Sequence, residues 1–446
     1  MRQASAEESV PVEPELKWYK GNLHARSLWS DGNDFPEMIA DWYRSHGYHF
    51  LTLSDHDVLS QGERWMPLVE IDKRRGRSIY DYRNQGWAEL PEGDPRKRPS
   101  LEKYIARFGA DWVETRGDRD AGTLEVRLKP LDEFRPLLEE RGQFLLIQGE
   151  EVSDSVQKLA LHLNVSNLRD VILPVGGPTL REALEGNLRA AQEQSKKTGR
   201  ELLIHLNHPN CDWAVTAEDL AAVPLARFFE VYNGHPGVRL QGDQDHASTD
   251  EMWDIANTLR IAESQAPLYG LATDDSHHFH GEGYSWPGRG WIMVRARQLT
   301  PESLIRAINE GDFYASTGVV LGDVCYSPES QTLELSIEPD GDATFTTRFL
   351  GTPSDLDPTS EVRKDQQGKP LATTRRYSRD VGTTFSSVDG LRPAYRLMGK
   401  ELYVRAVVTS NRPASSPSYA GALKQAWTQP VGWQPRVNPA RAASAP

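Results

Sequence analysis

YKGNLHARSLWSDG, residues 19–32, runs from a short strand-like stretch straight into a polar, chargeable loop. The stretch Tyr19 to His24 reads as a strand, and His24, Arg26 and Asp31 follow where it stops. The same rhythm returns along the chain. Short strand candidates lie at His49 to Ser54, Phe144 to Glu151, Leu159 to Asn164, Glu201 to His205, Phe228 to Tyr232, Leu268 to Thr273 and Gly290 to Val294. Polar segments and helical patterns separate several of them, which from Trp18 to Arg297 is the signature of an α/β domain. Thr179 to Lys196 carries Leu180, Ala183, Leu184, Leu188 and Ala191 at helical spacing, with Thr179 as its cap.

Outward from this frame the character changes. Trp65 to Gly142 is long, charged and Arg-rich, with helical patches at Leu101 to Phe108 and Asp132 to Arg141, and reads as a helical insertion between the second and third strands. PESLIRAINE (301–310) is a helix closed by Gly311, and from Asp323 onward alternating strands such as LELSIEP and ELYVRAVVTS form a smaller β-rich module. The expected division is an N-terminal tail at 1–17, a main domain at 18–320 with its insertion at about 65–142, a β-rich module at 321–432 and a disordered tail at 433–446.

With 446 residues, 38% hydrophobic and 26% charged, the chain has the composition of a globular protein. A net charge of −13 and the lack of a dense basic block argue against nucleic acid or an anionic membrane as partner. No apolar run is long enough to span a bilayer, so a cytoplasmic location is expected from the chain as given. Ala4-Ser5-Ala6 has the small-x-small look of a signal-peptidase site, which leaves an exported protein with its signal removed as the alternative. Cys211 and Cys325 are too few and too far apart for a disulfide framework or a thiolate metal site, and are expected as buried small hydrophobes.

All 12 histidines lie at or before His280, which keeps imidazole chemistry out of the β-rich module. His24, His56, Glu151, His162, His208 and the Asp275/His277 pair each fall where a predicted strand stops. In a barrel of parallel strands those ends gather at one mouth, so the residues become neighbours. Imidazoles and carboxylates together suit zinc, manganese or iron. Competing signatures, among them a GxxxxGK[ST] phosphate loop, HExxH and GxSxG, are absent.

NLHARSLWSDG (22–32), LSDHD (53–57), GEEVS (149–153), HLN (162–164), NHPN (207–210) and TDDSHH (273–278) occur in this order, and together they resemble a polymerase and histidinol phosphatase (PHP) domain. GDFYASTG (311–318) with a β-rich tail ending near AWTQPV (426–431) is similar, more narrowly, to the CehA/McbA-type metallohydrolases. The resemblance spans about Trp18 to Val431. It implies a distorted (β/α)7 barrel holding two metal ions, three at most, with His24, Asp31, His56, Glu151, His162, His208, Asp275 and His277 as ligands and Glu151 bridging two ions. Asp274 is the alternative to Asp275 if the register slips by one.

The chain departs from the PHP pattern at Arg26, where the family places a second histidine. A guanidinium offers no lone pair and repels a cation by roughly 4 kcal/mol per unit charge at about 4 Å and an effective dielectric of about 20. Arg26 therefore stands open between impairing metal occupancy, gripping an anionic substrate, and pointing outward as a spectator. His46, His49, His235 and His246 fall outside the motifs and are expected to be structural, as is His205, whose offset from His208 sends it to the other face. Asp55 and Asp57 are either ring-orienting partners of His56 or turn caps, Glu150 is a packing residue, and His278 and His280 belong to a Gly-rich loop that is either a lid or ordinary surface.

The expected function is a metal-dependent hydrolase acting on a small-molecule phosphate ester, with Asp275 and His208 moving protons and Arg26 binding substrate. The alternatives are a carbamate or aryl-ester hydrolase, or a catalytically impaired binding protein.

Overall fold

The computed structural model describes residues 15–75, 78–81, 86–89, 91–94, 97–280, 284–357 and 359–437. The Ala4-Ser5-Ala6 sequence, most of the expected 1–17 tail and 438–446 of the expected C-terminal tail lie outside the described residues.

One 13-stranded sheet organises a mixed α/β chain. Its first seven strands, in spatial order, are Tyr269–Thr273, Phe228–Asn233, Leu203–Leu206, Leu159–Ser166, Leu145–Val156, Phe50–Leu53 and Lys17–Asn22. The sheet continues through Trp291–Ala296 and Phe313–Ser316 into Leu423–Thr428, Glu401–Pro413, Phe345–Pro353 and Thr383–Asp389, so strands before and after residue 321 share it. At the opposite edge the ends of the Lys17–Asn22 and Tyr269–Thr273 strands are joined by a parallel bridge between Ala25 and Ser276, where the Arg26 N–H donates to the Ser276 carbonyl at 2.9 Å. Beneath that bridge Leu23, Phe50, Ile147, Leu203, Phe228 and Leu271, from six different strands or their ends, pack into one apolar cluster.

The strands are not all parallel, which corrects the expected barrel. Leu159–Ser166 runs antiparallel to both neighbours. The reason is local. Gln157 and Lys158 both adopt positive φ, 53° and 71°, and form the tight two-residue connection that turns the chain back on itself; a parallel crossover needs a dozen residues or more. The Leu145–Val156 strand accordingly extends past Glu151, which lies within a strand rather than at its end.

The helices follow their sequence signals. Leu180–Thr198 starts where the Thr179 hydroxyl accepts the Glu182 N–H, and its Ala183, Leu184, Leu188 and Ala191 are buried. Pro301–Glu310 ends at Gly311. The insertion, in contrast, is not helical throughout. Besides helices Leu68–Arg75, Ser100–Phe108 and Leu131–Leu138 it holds a three-stranded antiparallel sheet of Arg64–Pro67, Glu125–Leu128 and Thr115–Arg116. In Glu125–Leu128 the strict alternation buries Val126 and Leu128 and leaves Glu125 and Arg127 outward, a period-two pattern inside a charged segment. Cys325 is exposed and Cys211 half-buried, contrary to the expectation for both. Among the described residues no helix is long and apolar enough to cross a membrane.

Candidate metal centre

Six separate segments bring the expected site residues together around Glu151. His24 and Arg26 follow the Lys17–Asn22 strand, His56 follows Phe50–Leu53, His162 lies in the antiparallel Leu159–Ser166, His208 follows Leu203–Leu206, and Asp275 and His277 follow Tyr269–Thr273. Glu151 is fully buried. Its Oε1 lies 3.1 Å from His162 Nδ1, 3.5 Å from His208 Nε2 and 3.7 Å from His24 Nε2, while Oε2 lies 3.2 Å from His56 Nδ1. Asn207 donates to Oε1 at 2.6 Å and fixes the carboxylate's orientation. Asp31 stands at the rim, 3.6 Å from His56 Nε2 and 3.4 Å from His277 Nε2.

Loop geometry aims these groups inward. Residues 27–32 fold back so that the Gly32 N–H reaches the Ser27 carbonyl at 3.0 Å, and a Cβ on Gly32 would stand 2.4 Å from the Arg26 carbonyl oxygen. Asp55 clamps the same loop through the Ser27 N–H and the Ser27 and Ser30 hydroxyls. Asp57 accepts the Ser153 N–H at 2.8 Å, and it is the Ser153 hydroxyl, 2.5 Å from Nδ1, that orients the His56 ring. Asp57, His208 and Asp275 all adopt positive φ, 51°, 23° and 47°. Such conformations cost about 1–3 kcal/mol each and gather where function over-determines the backbone.

Asp275, not Asp274, faces the cluster, its Oδ1 lying 3.1 Å from His24 Nε2. Asp274 turns away and accepts the N–H groups of Gly288, Arg289 and Gly290 and the Tyr43 hydroxyl. Glu150 also faces away and accepts the Ile172 N–H at 2.7 Å. His46 stacks on Trp42, His49 accepts the Lys20 N–H and His246 stacks on Trp213, all structural as expected. His278 Nδ1 accepts the Ser285 N–H and His280 pairs with the Asn33 carbonyl; part of their loop, 281–283, lies outside the described residues.

Arg26 is buried, which removes the outward-pointing reading. Its guanidinium pairs with Glu151 Oε2 and donates to the Ser54 carbonyl, and its Nε lies 3.8 Å from Asp275 Oδ1 and 4.0 Å from Asp31 Oδ1. A permanent cation thus stands among the carboxylates.

Three groups near the centre escape the motif reading. Glu230 is fully buried within the Phe228–Asn233 strand and is saturated. One oxygen pairs with His24 Nδ1 and accepts the Thr273 hydroxyl, each at 2.7 Å; the other accepts the His208 N–H at 2.8 Å and Asn233 Nδ2 at 2.7 Å. A carboxylate in the middle of the apolar run FFEVYN was the available signal. His205, expected to be structural, is buried behind it, 3.5 Å from Glu230 Oε1. His235, also expected to be structural, packs against His277 with ring centroids 5.3 Å apart.

Electrostatics divide the imidazoles. Burial, reinforced by the positive charge of Arg26, pushes His162 down to about 3, and burial also lowers His56 and His208. These rings are neutral and offer lone pairs. Burial alone would lower His24 too, but the carboxylates of Asp275 and Glu230 outweigh it and raise the group to about 9. Asp31 is held well below the usual carboxylate range because its bonds to His277 and His56 and the charge of Arg26 outweigh its desolvation.

The donors fit a divalent transition ion. His56, Glu151 and His162 present ligand atoms all within 4.8 Å of one another. His162 Nδ1 and Asp275 Oδ1 are buried without a hydrogen-bond partner, the state of atoms that a cation satisfies, and His24 has to lose its proton before its Nε2 can join them. His24, His205 and Glu230 are equally close, but the four hydrogen-bonding positions of Glu230 are filled, so this second trio has no carboxylate to give.

No family model and no curated protein matches the chain. Among solved structures it is similar to a two-domain protein from Bacteroides vulgatus containing a predicted PHP-like metal-dependent phosphoesterase, at 13% identity and a TM-score of 0.37, covering 96% of this chain and 100% of that one. It is also similar to a provisionally assigned metal-dependent phosphoesterase from Bifidobacterium adolescentis, at 11% identity and a TM-score of 0.27, covering 59% of this chain and 88% of that one. At those scores neither likeness bears on function, and the chemistry stands on the side chains themselves.

Proposed function

We propose that this chain is a metal-dependent phosphoesterase of the PHP type, acting on a small anionic phosphate ester within a distorted seven-stranded barrel closed by the Ala25–Ser276 bridge. The observation that carries the reading is one buried carboxylate, Glu151, ringed by His24, His56, His162 and His208. His56, Glu151 and His162 would hold one ion, and Asp31, His277, His24, His208 and Asp275 complete the donor set. A bound zinc, manganese or iron ion supplies Lewis-acid stabilisation of charge on the substrate's oxygens.

The chain's own groups do the rest. Arg26 presents fixed positive charge, and each terminal nitrogen keeps a second N–H after its contacts with Glu151 and Ser54, enough to orient a phosphate. His208 is kept neutral by burial, so its Nε2 lone pair serves either an ion or a proton, not both. Asp275 stays ionised and holds the His24 ring in place. Residues 18–320 form the catalytic unit in this reading and 321–432 an accessory module.

The Arg26–Glu151 contact favours one second reading, a binding protein whose site an internal cation has silenced. Elemental analysis followed by hydrolysis of an aryl phosphate beside an aryl carbamate at equal concentration separates the possibilities. Bound transition metal with phosphate release supports the proposal. Carbamate turnover alone replaces it with the CehA/McbA-type activity, and absence of both metal and turnover leaves the binding protein.

A further inference from the structure

We propose that a second site, in the cleft between the helix Thr249–Ala262 and the C-terminal strands, binds a small polyanion carrying two or more phosphate or carboxylate groups. The cleft encloses about 570 Å³, within the range of small-molecule sites, and shares no residue with the cluster around Glu151. Five arginines line it: Arg348, Arg363, Arg376, Arg379 and Arg405. On a chain of net charge −13 such a concentration stands against the background.

Acidic residues also line the cleft, but they are engaged. Asp254 takes Arg405 in a two-pronged pair at 2.8 and 2.7 Å and accepts the Tyr403 hydroxyl at 2.7 Å. Asp250 lies 3.0 Å from Arg405 Nη2, and Glu251 closes the helix cap by accepting the Ser248 N–H at 2.7 Å. Arg405 is thereby locked in place, 1% exposed, and its Nη1 is buried with no partner. Arg348, Arg376 and Arg379 are exposed and make no ion pair or side-chain hydrogen bond among the described residues. The five arginines outnumber the three acidic side chains of the cleft, Asp250, Glu251 and Asp254, so a positive excess remains, and an anion with several oxygens offsets it through forked N–H contacts.

Isothermal titration with inorganic pyrophosphate, on protein stripped of metal and then dialysed free of chelator so that neither a metal at Glu151 nor a competing polycarboxylate is present, tests this. The double variant R348A/R376A alters two exposed side chains, and circular dichroism checks that its fold is intact. The expected result is binding by the native chain that weakens by at least about tenfold in the double variant, which loses two charge-assisted contacts, while R26A leaves this binding event in place. Failure of the native chain to bind pyrophosphate, or equal affinity in the folded double variant, overturns the proposal.

Discussion

Replacing Arg26 with alanine removes a permanent cation from among the carboxylates of Glu151, Asp275 and Asp31. Its Nε stands 3.8 Å from Asp275 Oδ1 and 4.0 Å from Asp31 Oδ1, so each pair is worth about 4 kcal/mol of attraction at an effective dielectric of about 20. Asp31 is 52% exposed, so solvent screens most of its share. Glu151 is wholly buried and loses its direct partner. Breaking a buried pair from one side costs about 3–5 kcal/mol, and that is the loss expected for Arg26→Ala in chelator, read by urea unfolding with tryptophan fluorescence. Excess zinc or manganese should reverse it, because the ion takes over the neutralising role and no longer meets the guanidinium; ligand at about 1,000 times its Kd returns about 4 kcal/mol. Arg26→His should show the same pattern with a greater metal content by elemental analysis. The reasoning is refuted if Arg26→Ala is as stable as the native chain in chelator, or if metal stabilises native and variants equally.

Other outcomes follow from the same geometry. Glu230→Gln turns an amide toward the Asn233 and His208 donors and weakens the grip on His24 Nδ1, so metal affinity measured by chelator competition should fall about 10–100-fold while circular dichroism stays native; unchanged affinity would remove Glu230 from the site's support. Glu37 is buried, which raises its carboxyl to about 7 against the opposing Tyr104 bond. The folded chain therefore binds this proton more tightly than the unfolded one, and its contribution is complete below about 4.5 and lost as pH rises through about 7. Glu37→Gln should gain about 3 kcal/mol of relative stability at pH about 8.5 and little at pH about 4, a difference that equal urea midpoints would contradict. A Cβ at position 149 would meet Thr52 Cγ2 at 2.3 Å and the Val165 carbonyl at 2.8 Å, so Gly149→Ala should cost about 1–3 kcal/mol and disturb Glu151 two residues on. A native melting curve with native metal binding would show that the strands yield freely there.

Local sequence determined a good deal of this protein. Strand positions, the Thr179 cap and the helix end at Gly311 were legible because each depends on residues within a turn or two of one another. The motif order gathered His24, His56, Glu151, His162, His208, Asp275 and His277, because each sits in a recognisable short run, although Glu151 and His162 lie within strands and not at their ends. The reversal of the Leu159–Ser166 strand was present as a short connection, yet the repeating α/β rhythm obscured it.

What remained was decided by contacts across long stretches of chain. Glu230 meets His24 206 residues away, and nothing local distinguishes a saturated, ring-positioning carboxylate from an unused one. Whether Arg26 turns outward or enters the centre depends on counter-charges that other strands supply, Glu151 in direct contact and Asp275 close by, since burying a guanidinium without them would be prohibitive. The arginine-lined cleft likewise exists only where the helix Thr249–Ala262 meets strands from the chain's last hundred residues, because like charges dispersed in sequence become a site only when folding holds them on one concave surface.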